Sequence, residues 1–122
     1  MVDDDADCVQ LISSVLKIRY HGLDVISAKN GLEAFKLIQG DEVPILVLAD
    51  YRMPVMKGNE LGKALRRAYG RKVDMVLVTG QPVTDAIARD FDQILEKPFD
   101  LERLYSVVDA AITRRASEID HE

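Results

Sequence analysis

The sequence predicts an α/β protein in which helices cover both faces of a parallel sheet. Two segments, residues 43–49 and 75–78, are apolar without alternation, which is typical of strands that are buried on both faces. Segments with apolar residues at helical spacing separate them, so strands and helices alternate along the chain. With 122 residues, the chain fits one domain that can bury a core without a disulfide or a metal.

The first half of the chain carries a signal for each element. Apolar residues at helical spacing between Cys8 and Ile18 predict the first helix, and a short β-rich segment at 24–28 predicts a strand. Asn30, with Glu33 three residues later, indicates the start of the second helix. The buried stripe of that helix is predicted to consist of Leu32, Phe35 and Ile38.

The second half continues the alternation. Its elements are predicted as the strand at 43–49, a helix at 61–68 that ends at Gly70, the strand at 75–78, a short helix at 83–90 and a short strand at 93–96. Asp100 is predicted to cap the last helix. A polar, frayed tail is predicted at 117–122, which leaves 1–116 as the domain.

Composition excludes several classes of protein. Lys and Arg number 16 and Asp and Glu 21, so the net charge of −5 argues against a partner that is a nucleic acid. The single cysteine, Cys8, excludes an internal disulfide and a multi-cysteine zinc site, and it favours a reducing compartment. The longest apolar run is far shorter than the roughly 20 residues of a membrane span, and no signal peptide opens the chain. We therefore expect a cytoplasmic protein without a membrane partner.

Polar side chains suited to phosphoryl chemistry lie where predicted strands end. Asp50, Thr79 and Lys97 each follow a strand, and Asp3 and Asp4 precede the first helix. The carboxyl ends of parallel strands share one edge, so we expect these groups to meet there. Crowded carboxylates suit a hard cation such as Mg²⁺, beside which a carboxylate can attack a phosphoryl group. A lysine and a threonine can then bind the phosphoryl oxygens.

These residues belong to four short motifs that occur in a fixed order. The motifs are Val2-Asp3-Asp4-Asp5, residues 48–58, Val78-Thr79-Gly80 and Leu95-Glu96-Lys97-Pro98-Phe99. With them, nearly the whole chain resembles a response-regulator receiver domain of two-component signalling. The resemblance implies a flavodoxin-like three-layer sandwich with sheet order 2-1-3-4-5. It also implies a signalling domain that takes a phosphoryl group from a histidine kinase or a phosphotransfer protein and then switches its partner interactions.

The resemblance assigns a role to each acidic position. Asp50 would be the phospho-acceptor, in a reaction that depends on Mg²⁺. Asp4 would be the more direct metal ligand, while Asp3 would act largely through water. Arg52 would give its backbone carbonyl to the metal. The domain would catalyse only its own phosphorylation and dephosphorylation, so it would not be an enzyme that acts on outside substrates.

The remaining motif positions are assigned in the same way. Thr79 would hydrogen-bond the phosphoryl group and Lys97 would pair with it. The Lys97-Pro98 bond resembles the cis peptide of the family. Gly58 would allow the turn into the next helix. Gln81, like Arg52, lies two residues past a site residue, so both side chains are expected to flank the water that attacks the phosphoryl group.

Three features depart from the family pattern. Ile94 stands where the family has its switch aromatic, so an aromatic ring cannot relay phosphorylation. The segment from Thr79 to Lys97 is short, which predicts a reduced fourth helix, as in receivers of hybrid kinases or stand-alone receivers. Only Met1 and Val2 precede the acidic residues, so the first strand is expected to be truncated, with a homodimer as possible compensation.

Two alternative functions remain open. A haloacid-dehalogenase-like phosphotransferase would also use Asp50 and Mg²⁺, but it needs a second aspartate where this chain has Arg52. A pseudo-receiver would act only as a protein-interaction module, although every residue that the chemistry needs is present.

Overall fold

The computed structural model describes residues 1–3, 5–22, 28, 30–38, 44, 46–52, 56–70 and 72–120, with the backbone alone for 115–120. The described elements are α1 (Ala6–Arg19), α2 (Gly31–Ile38), β1 (Leu46–Asp50), α3 (Gly58–Tyr69), β2 (Asp74–Thr79), α4 (Asp85–Ala88), β3 (Gln93–Glu96) and α5 (Leu101–Asp120). None of these helices is long and apolar enough to cross a membrane.

A parallel sheet forms the centre of the molecule, with the strands in the order β1-β2-β3. Asp50 of β1 lies opposite Val78 of β2, and Thr79 of β2 lies opposite Glu96 of β3. The strands therefore end at the same edge, as expected for parallel strands. β1 begins at Leu46, after Pro44, whereas the sequence predicts a start at 43; residues 43 and 45 lie outside the described part of the chain.

The first strand is a three-residue stub, as the sequence predicts. Val2 forms parallel bridges to Ala28 on one side and to Ala49 on the other. The Val2 N–H donates to the Leu48 carbonyl (2.7 Å) and the Asp50 N–H donates to the Val2 carbonyl (2.9 Å). On the other side, the Asp3 N–H donates to the Ala28 carbonyl (3.0 Å) and the Ala28 N–H to the Met1 carbonyl (3.0 Å).

The stub completes the expected sheet order. Ala28 belongs to the strand predicted at 24–28, and the other residues of that strand lie outside the described part. From Ala28 through the stub to β1, β2 and β3, the order is 2-1-3-4-5. The fold class is thus the predicted one.

Alternate residues of the strands point to two apolar clusters, one on each face of the sheet. One cluster packs Val47, Met75 and Leu77 against α2 and α3, and the other packs Leu48, Val76 and Leu95 against α1 and α5. This alternation explains why the strand sequences are apolar throughout. It also confirms that helices cover both faces.

Side-chain caps begin several of the helices, and two of the capping residues, Asn30 and Asp100, are those that the sequence predicts. Asp5 accepts from the N–H groups of Asp7 and Cys8 at the start of α1. Asn30 accepts from the Glu33 N–H (2.8 Å) at the start of α2, and Asp100 accepts from the Arg103 N–H (2.8 Å) at the start of α5. Gly70 ends α3 with a positive φ of 59°, a conformation that glycine adopts at little cost.

Three predictions about the helices need correction. Leu32 is 40% exposed, because α2 turns Gly31 and Ala34 toward the core and Gly31 packs closely against Met56. α4 spans only 85–88, so it is even shorter than the predicted 83–90. α5 continues through Asp120, so the backbone of 117–120 is helical where a frayed tail is predicted.

A buried ionic cluster joins α3, β2 and α5 at the amino ends of β2 and β3. Asp92, whose side chain is 6% exposed, accepts from the Met75 N–H (2.7 Å) and pairs with Arg66 (3.1 Å) and Arg114 (3.0 Å). Arg114 also pairs with Asp74 (3.2 Å). This cluster lies at the opposite end of the strands from the acidic residues at their carboxyl ends.

Candidate functional site

Asp3 and Asp50 lie side by side at the carboxyl edge of the sheet. Asp50 is the last residue of β1, and Asp3 directly follows Val2, whose bridge to Ala49 fixes the register of the stub. Both are buried, Asp3 with 1% and Asp50 with 8% of its surface exposed. The sheet thus places two carboxylates at one point, as the sequence predicts.

The Asp3 carboxylate has one oxygen without a partner. Oδ1 accepts from the Asp5 N–H (3.0 Å), whereas Oδ2 is buried and accepts no hydrogen bond. A buried carboxylate oxygen that lacks a partner is unfavourable, because it has lost water and gained nothing in exchange. A bound cation would correct this deficit, so the donor set fits a hard divalent metal such as Mg²⁺.

Lys97 supplies a positive charge to the same site. Its Nζ lies 3.5 Å from the Asp50 carboxylate, and its backbone N–H donates to the Thr79 carbonyl (2.8 Å). Burial raises the pKa of the Asp50 carboxyl above its ordinary value, and the negative charge of Asp3 adds to this rise, whereas Lys97 opposes it. The Lys97-Pro98 peptide bond is cis, as the resemblance implies.

Thr79 and Arg52 are both bound to Gln81. The buried Thr79 hydroxyl donates to the Gln81 backbone carbonyl (2.9 Å) and accepts from the Gln81 N–H (3.2 Å). The Arg52 guanidinium donates to the Gln81 side-chain carbonyl (2.5 Å), and we call this contact the Arg52–Gln81 bridge. The side chains of Arg52 and Gln81 therefore contact each other across the loops that follow β1 and β2.

Gly58 is required for a reason other than the predicted turn. It is the first residue of α3, and a Cβ there would overlap the backbone carbonyl oxygen of Asp50 and lie 2.9 Å from the Leu77 side chain. Its N–H donates to the Tyr51 carbonyl (3.1 Å). The missing side chain lets α3 begin directly against the backbone of the acidic site.

The structure describes most of the residues that the sequence assigns to the site. Asp3, Asp50, Thr79 and Lys97 gather at the carboxyl edge, whereas Asp4 lies outside the described residues. Within the described part of the chain, no group of three His, Cys, Asp or Glu residues could hold a metal ion. Among the described residues, the Asp3–Asp50 pair is the candidate for holding a metal ion.

The Cys8 thiol lies near Asp3, a proximity that the sequence does not predict. It packs partly against the apolar cluster under α1, as expected for a small core residue. Burial raises the pKa of its thiol, and the negative charge of Asp3 adds to the rise. Cys8 lies near the acidic residues because it belongs to the first turn of α1, which directly follows them in the sequence.

Ile94 occupies the position of the expected switch aromatic. It is half-buried in β3, opposite Leu77, and packs against the apolar cluster that also includes Leu61 and Phe91. The short helix α4 contributes Ile87 to the same contact region. The structure therefore has both an isoleucine at the position of the switch aromatic and a shortened fourth helix.

Comparison with known proteins gives a consistent result. Residues 1–109 match the family model described as the response regulator receiver domain. The chain is 34% identical over 119 residues to a transcriptional regulatory protein, the CpxR homolog of Haemophilus influenzae, covering 96% of this chain and 51% of that protein. It is also 34% identical over 120 residues to the transcriptional regulatory protein PrrA of Mycobacterium tuberculosis, covering 96% of this chain and 50% of PrrA. The chain thus spans about half the length of these two relatives.

Solved structures show the same fold. The chemotaxis protein CheY4 of Vibrio cholerae matches with a TM-score of 0.78 and 27% identity, over 90% of this chain and 93% of that one. The response regulator TrrA of Thermotoga maritima, solved in complex with Mg²⁺ and BeF, matches with a TM-score of 0.77 and 25% identity, over 90% and 94% of the two chains.

Proposed function

The chain belongs to the response regulator receiver domain family of two-component signalling, and on this premise we propose that it accepts a phosphoryl group on Asp50. The observation that carries the proposal is the buried Asp50 carboxylate at a strand end, beside Asp3 and 3.5 Å from the Lys97 ammonium. The haloacid-dehalogenase alternative gains no support, since the side chain of Arg52, where that enzyme needs its acid, contacts Gln81 instead.

Mg²⁺ is the metal that we propose for the site. Asp3 and Asp50 would hold it, together with Asp4 and the Arg52 backbone carbonyl that the family pattern assigns. The unpartnered oxygen of Asp3 supports this proposal, because it is buried where a cation would satisfy it. The bound ion would supply positive charge against the carboxylates and the phosphoryl oxygens.

Phosphoryl transfer then depends on three side chains of this protein. A carboxylate oxygen of Asp50 attacks phosphorus, a new P–O bond forms, and the bond from phosphorus to the donor breaks with its electron pair on the leaving group. Lys97, which pairs with Asp50 before phosphorylation, then binds the new phosphoryl oxygens through its ammonium group. The Thr79 hydroxyl donates to one of the same oxygens. Water later attacks phosphorus, the bond to the Asp50 oxygen breaks, and inorganic phosphate leaves, which restores the carboxylate.

The proposed phosphodonor is the phosphohistidine of a histidine kinase or of a phosphotransfer protein. The proposed consequence is a change in the proteins that the domain binds. Direct contact with nucleic acid is not proposed, because the chain carries a net charge of −5. A homodimer stays a prediction, since none of the described contacts bears on it.

The test is covalent labelling with a small phosphodonor. Incubation with acetyl phosphate and Mg²⁺ should add one phosphoryl group to the wild-type protein, read as intact mass, and EDTA should prevent it. Asp50→Asn should take up none, because an amide is a poor nucleophile. Asp109→Asn, which changes an exposed carboxylate on α5, is the matched control and should be labelled like wild type. Labelling that persists in Asp50→Asn would refute the assignment.

A further inference from the structure

The Cys8 thiol and the Asp3 carboxylate lie together where the chain enters α1. The Asp5 N–H donates to Asp3 Oδ1 (3.0 Å), and Asp5 Oδ1 accepts in turn from the Cys8 N–H (3.3 Å). These two contacts turn the chain back on itself, so the first turn of α1 lies next to Asp3. The proposed function uses Asp3 but gives Cys8 no role.

The two side chains also interact directly. Asp3 raises the pKa of the Cys8 thiol through its charge and through a contact with the thiol. Asp3 is 1% exposed, and among the described residues its Oδ2 has no hydrogen-bond partner. Cys8 is half-buried, so part of its surface is open to solvent. A buried anionic oxygen that lacks a partner therefore lies beside a sulfur that small ions can reach.

A thiol beside a carboxylate favours a different class of cation from Mg²⁺. Mg²⁺ prefers oxygen ligands and water, whereas a thiolate is a soft ligand that selects ions such as Zn²⁺. Zn²⁺ also accepts carboxylate oxygens as ligands. The charges of Asp3 and Asp5 disfavour a bare thiolate, but they favour a thiolate that a cation neutralises. Lys97 acts in the opposite direction on the thiol, although its ammonium group pairs with Asp50.

We propose that Cys8 and Asp3 bind one thiophilic divalent cation of the class of Zn²⁺ and Cd²⁺. Cys8 Sγ and Asp3 Oδ2 are the protein ligands, and water completes the coordination, because the described residues hold no set of three His, Cys, Asp or Glu ligands. On binding, the S–H bond breaks, its electron pair forms the bond from sulfur to the metal, and the proton passes to water. The ion uses the carboxylate that the proposed Mg²⁺ needs, so the two cations exclude each other; this consequence alone rests on the proposed function.

The experiment titrates the whole chain with Cd²⁺ in a buffer free of added thiols. Binding is followed by the ultraviolet charge-transfer absorbance of a thiolate bound to cadmium. Cys8 is the single cysteine of the chain, so this band reports on Cys8 alone. Wild type should develop the band and saturate at one ion per chain. A wild type without the band, or saturation at one ion per two chains, would overturn the proposal.

Variants test whether Asp3 is a ligand. Asp3→Asn should weaken cadmium binding roughly tenfold or more, because loss of a group that merely supports a metal ligand already costs about tenfold. Asp7→Asn removes an exposed carboxylate from the same turn of α1, so this matched control should bind cadmium like wild type. Cys8→Ser should abolish the band. Wild-type affinity in Asp3→Asn would overturn the proposal, because it would show that an accessible thiol binds cadmium without Asp3.

Carbon NMR of wild type gives the same test without depending on whether a variant folds. Cadmium should shift the carboxyl resonance of Asp3 together with the β-carbon resonance of Cys8. A Cys8 shift without an Asp3 shift would overturn the proposed pair of ligands.

Cadmium binding does not require phosphorylation, so the two proposals fail separately. A protein that takes up a phosphoryl group from acetyl phosphate but shows no band dependent on Asp3 would overturn the thiol site alone. A protein that shows this band but is never labelled at Asp50 would overturn the proposed function and support the thiol site.

Discussion

Replacing Asp92 with alanine should lower the free energy of unfolding by about 3 kcal/mol. The Met75 N–H, 2.7 Å from the carboxylate, would lose its acceptor, which costs about 1–3 kcal/mol for a buried donor. Arg66 is 15% exposed and would lose its ion pair but keep the Asp90 and Gly70 carbonyls as acceptors. Arg114 is 43% exposed and keeps Asp74, so it adds at most about 1 kcal/mol.

The change should be measurable by thermal and urea unfolding at pH 7. A loss of about 3 kcal/mol corresponds to a fall in Tm of roughly 10 °C for a domain of this size. Asp92→Asn keeps an oxygen for the Met75 N–H and should lose about half as much. Asp90→Asn is the matched control, because the Asp90 carboxylate has no ion pair among the described residues, and it should change Tm by about 1 °C or less.

The pH dependence provides an independent check. Burial raises the pKa of Asp92, but the Met75 N–H, Arg66 and Arg114 outweigh it, so the net pKa lies below its ordinary value. A carboxyl whose pKa is lower in the folded state stabilises the fold above its unfolded pKa of about 3.9. That stabilisation is lost as the pH falls through the folded pKa.

The stability difference between wild type and Asp92→Asn should thus be full at pH 6 and shrink in acid below about pH 4. If Asp92→Ala unfolds within about 0.5 kcal/mol of wild type, the ionic cluster does not hold α3, β2 and α5 together, and the reasoning is wrong.

Two further predictions concern the acidic edge. Gly58→Ala should lower Tm by several degrees, because a Cβ there overlaps the Asp50 carbonyl, whereas Gly22→Ala meets nothing within 4 Å and should leave Tm within about a degree. Asp5→Ala should lower stability by about 1 kcal/mol through loss of the α1 cap, yet leave the Mg²⁺ affinity nearly unchanged in a calorimetric titration. Asp3→Ala should weaken Mg²⁺ binding in the same titration, and equal losses in the two variants would contradict this division of roles.

Much of the fold could be predicted because its signals are local. The caps at Asn30 and Asp100 depend on side chains that reach their own helix, and the buried strands are continuous apolar runs. Leu32 was predicted wrongly because periodicity cannot tell which of two apolar faces of a short helix turns inward. Here the small residues Gly31 and Ala34 let the helix approach its neighbours, so the larger side chain remains outside.

The candidate site also combines features that the sequence predicts with features that it does not. The carboxyl ends of parallel strands share an edge, so the meeting of Asp3, Asp50 and Lys97 follows from topology. The contacts of Gln81 could not be predicted, because they depend on where two loops bring their side chains. The Asp92 cluster escaped prediction for a related reason, since its partners lie on α3 and α5, far away in the sequence.

The pairing of residues 1–3 serves both the central sheet and the acidic site. Met1, Val2 and Asp3 are held between Ala28 and β1 by four backbone hydrogen bonds. A local opening that releases these residues would break the pairing with Ala28 and withdraw Asp3 from Asp50, while β1, β2 and β3 remain paired. Local openings of this kind need not break the rest of the fold. A cation held by Asp3 and Asp50 would oppose this opening, so metal binding would stabilise the pairing of residues 1–3 in the central sheet.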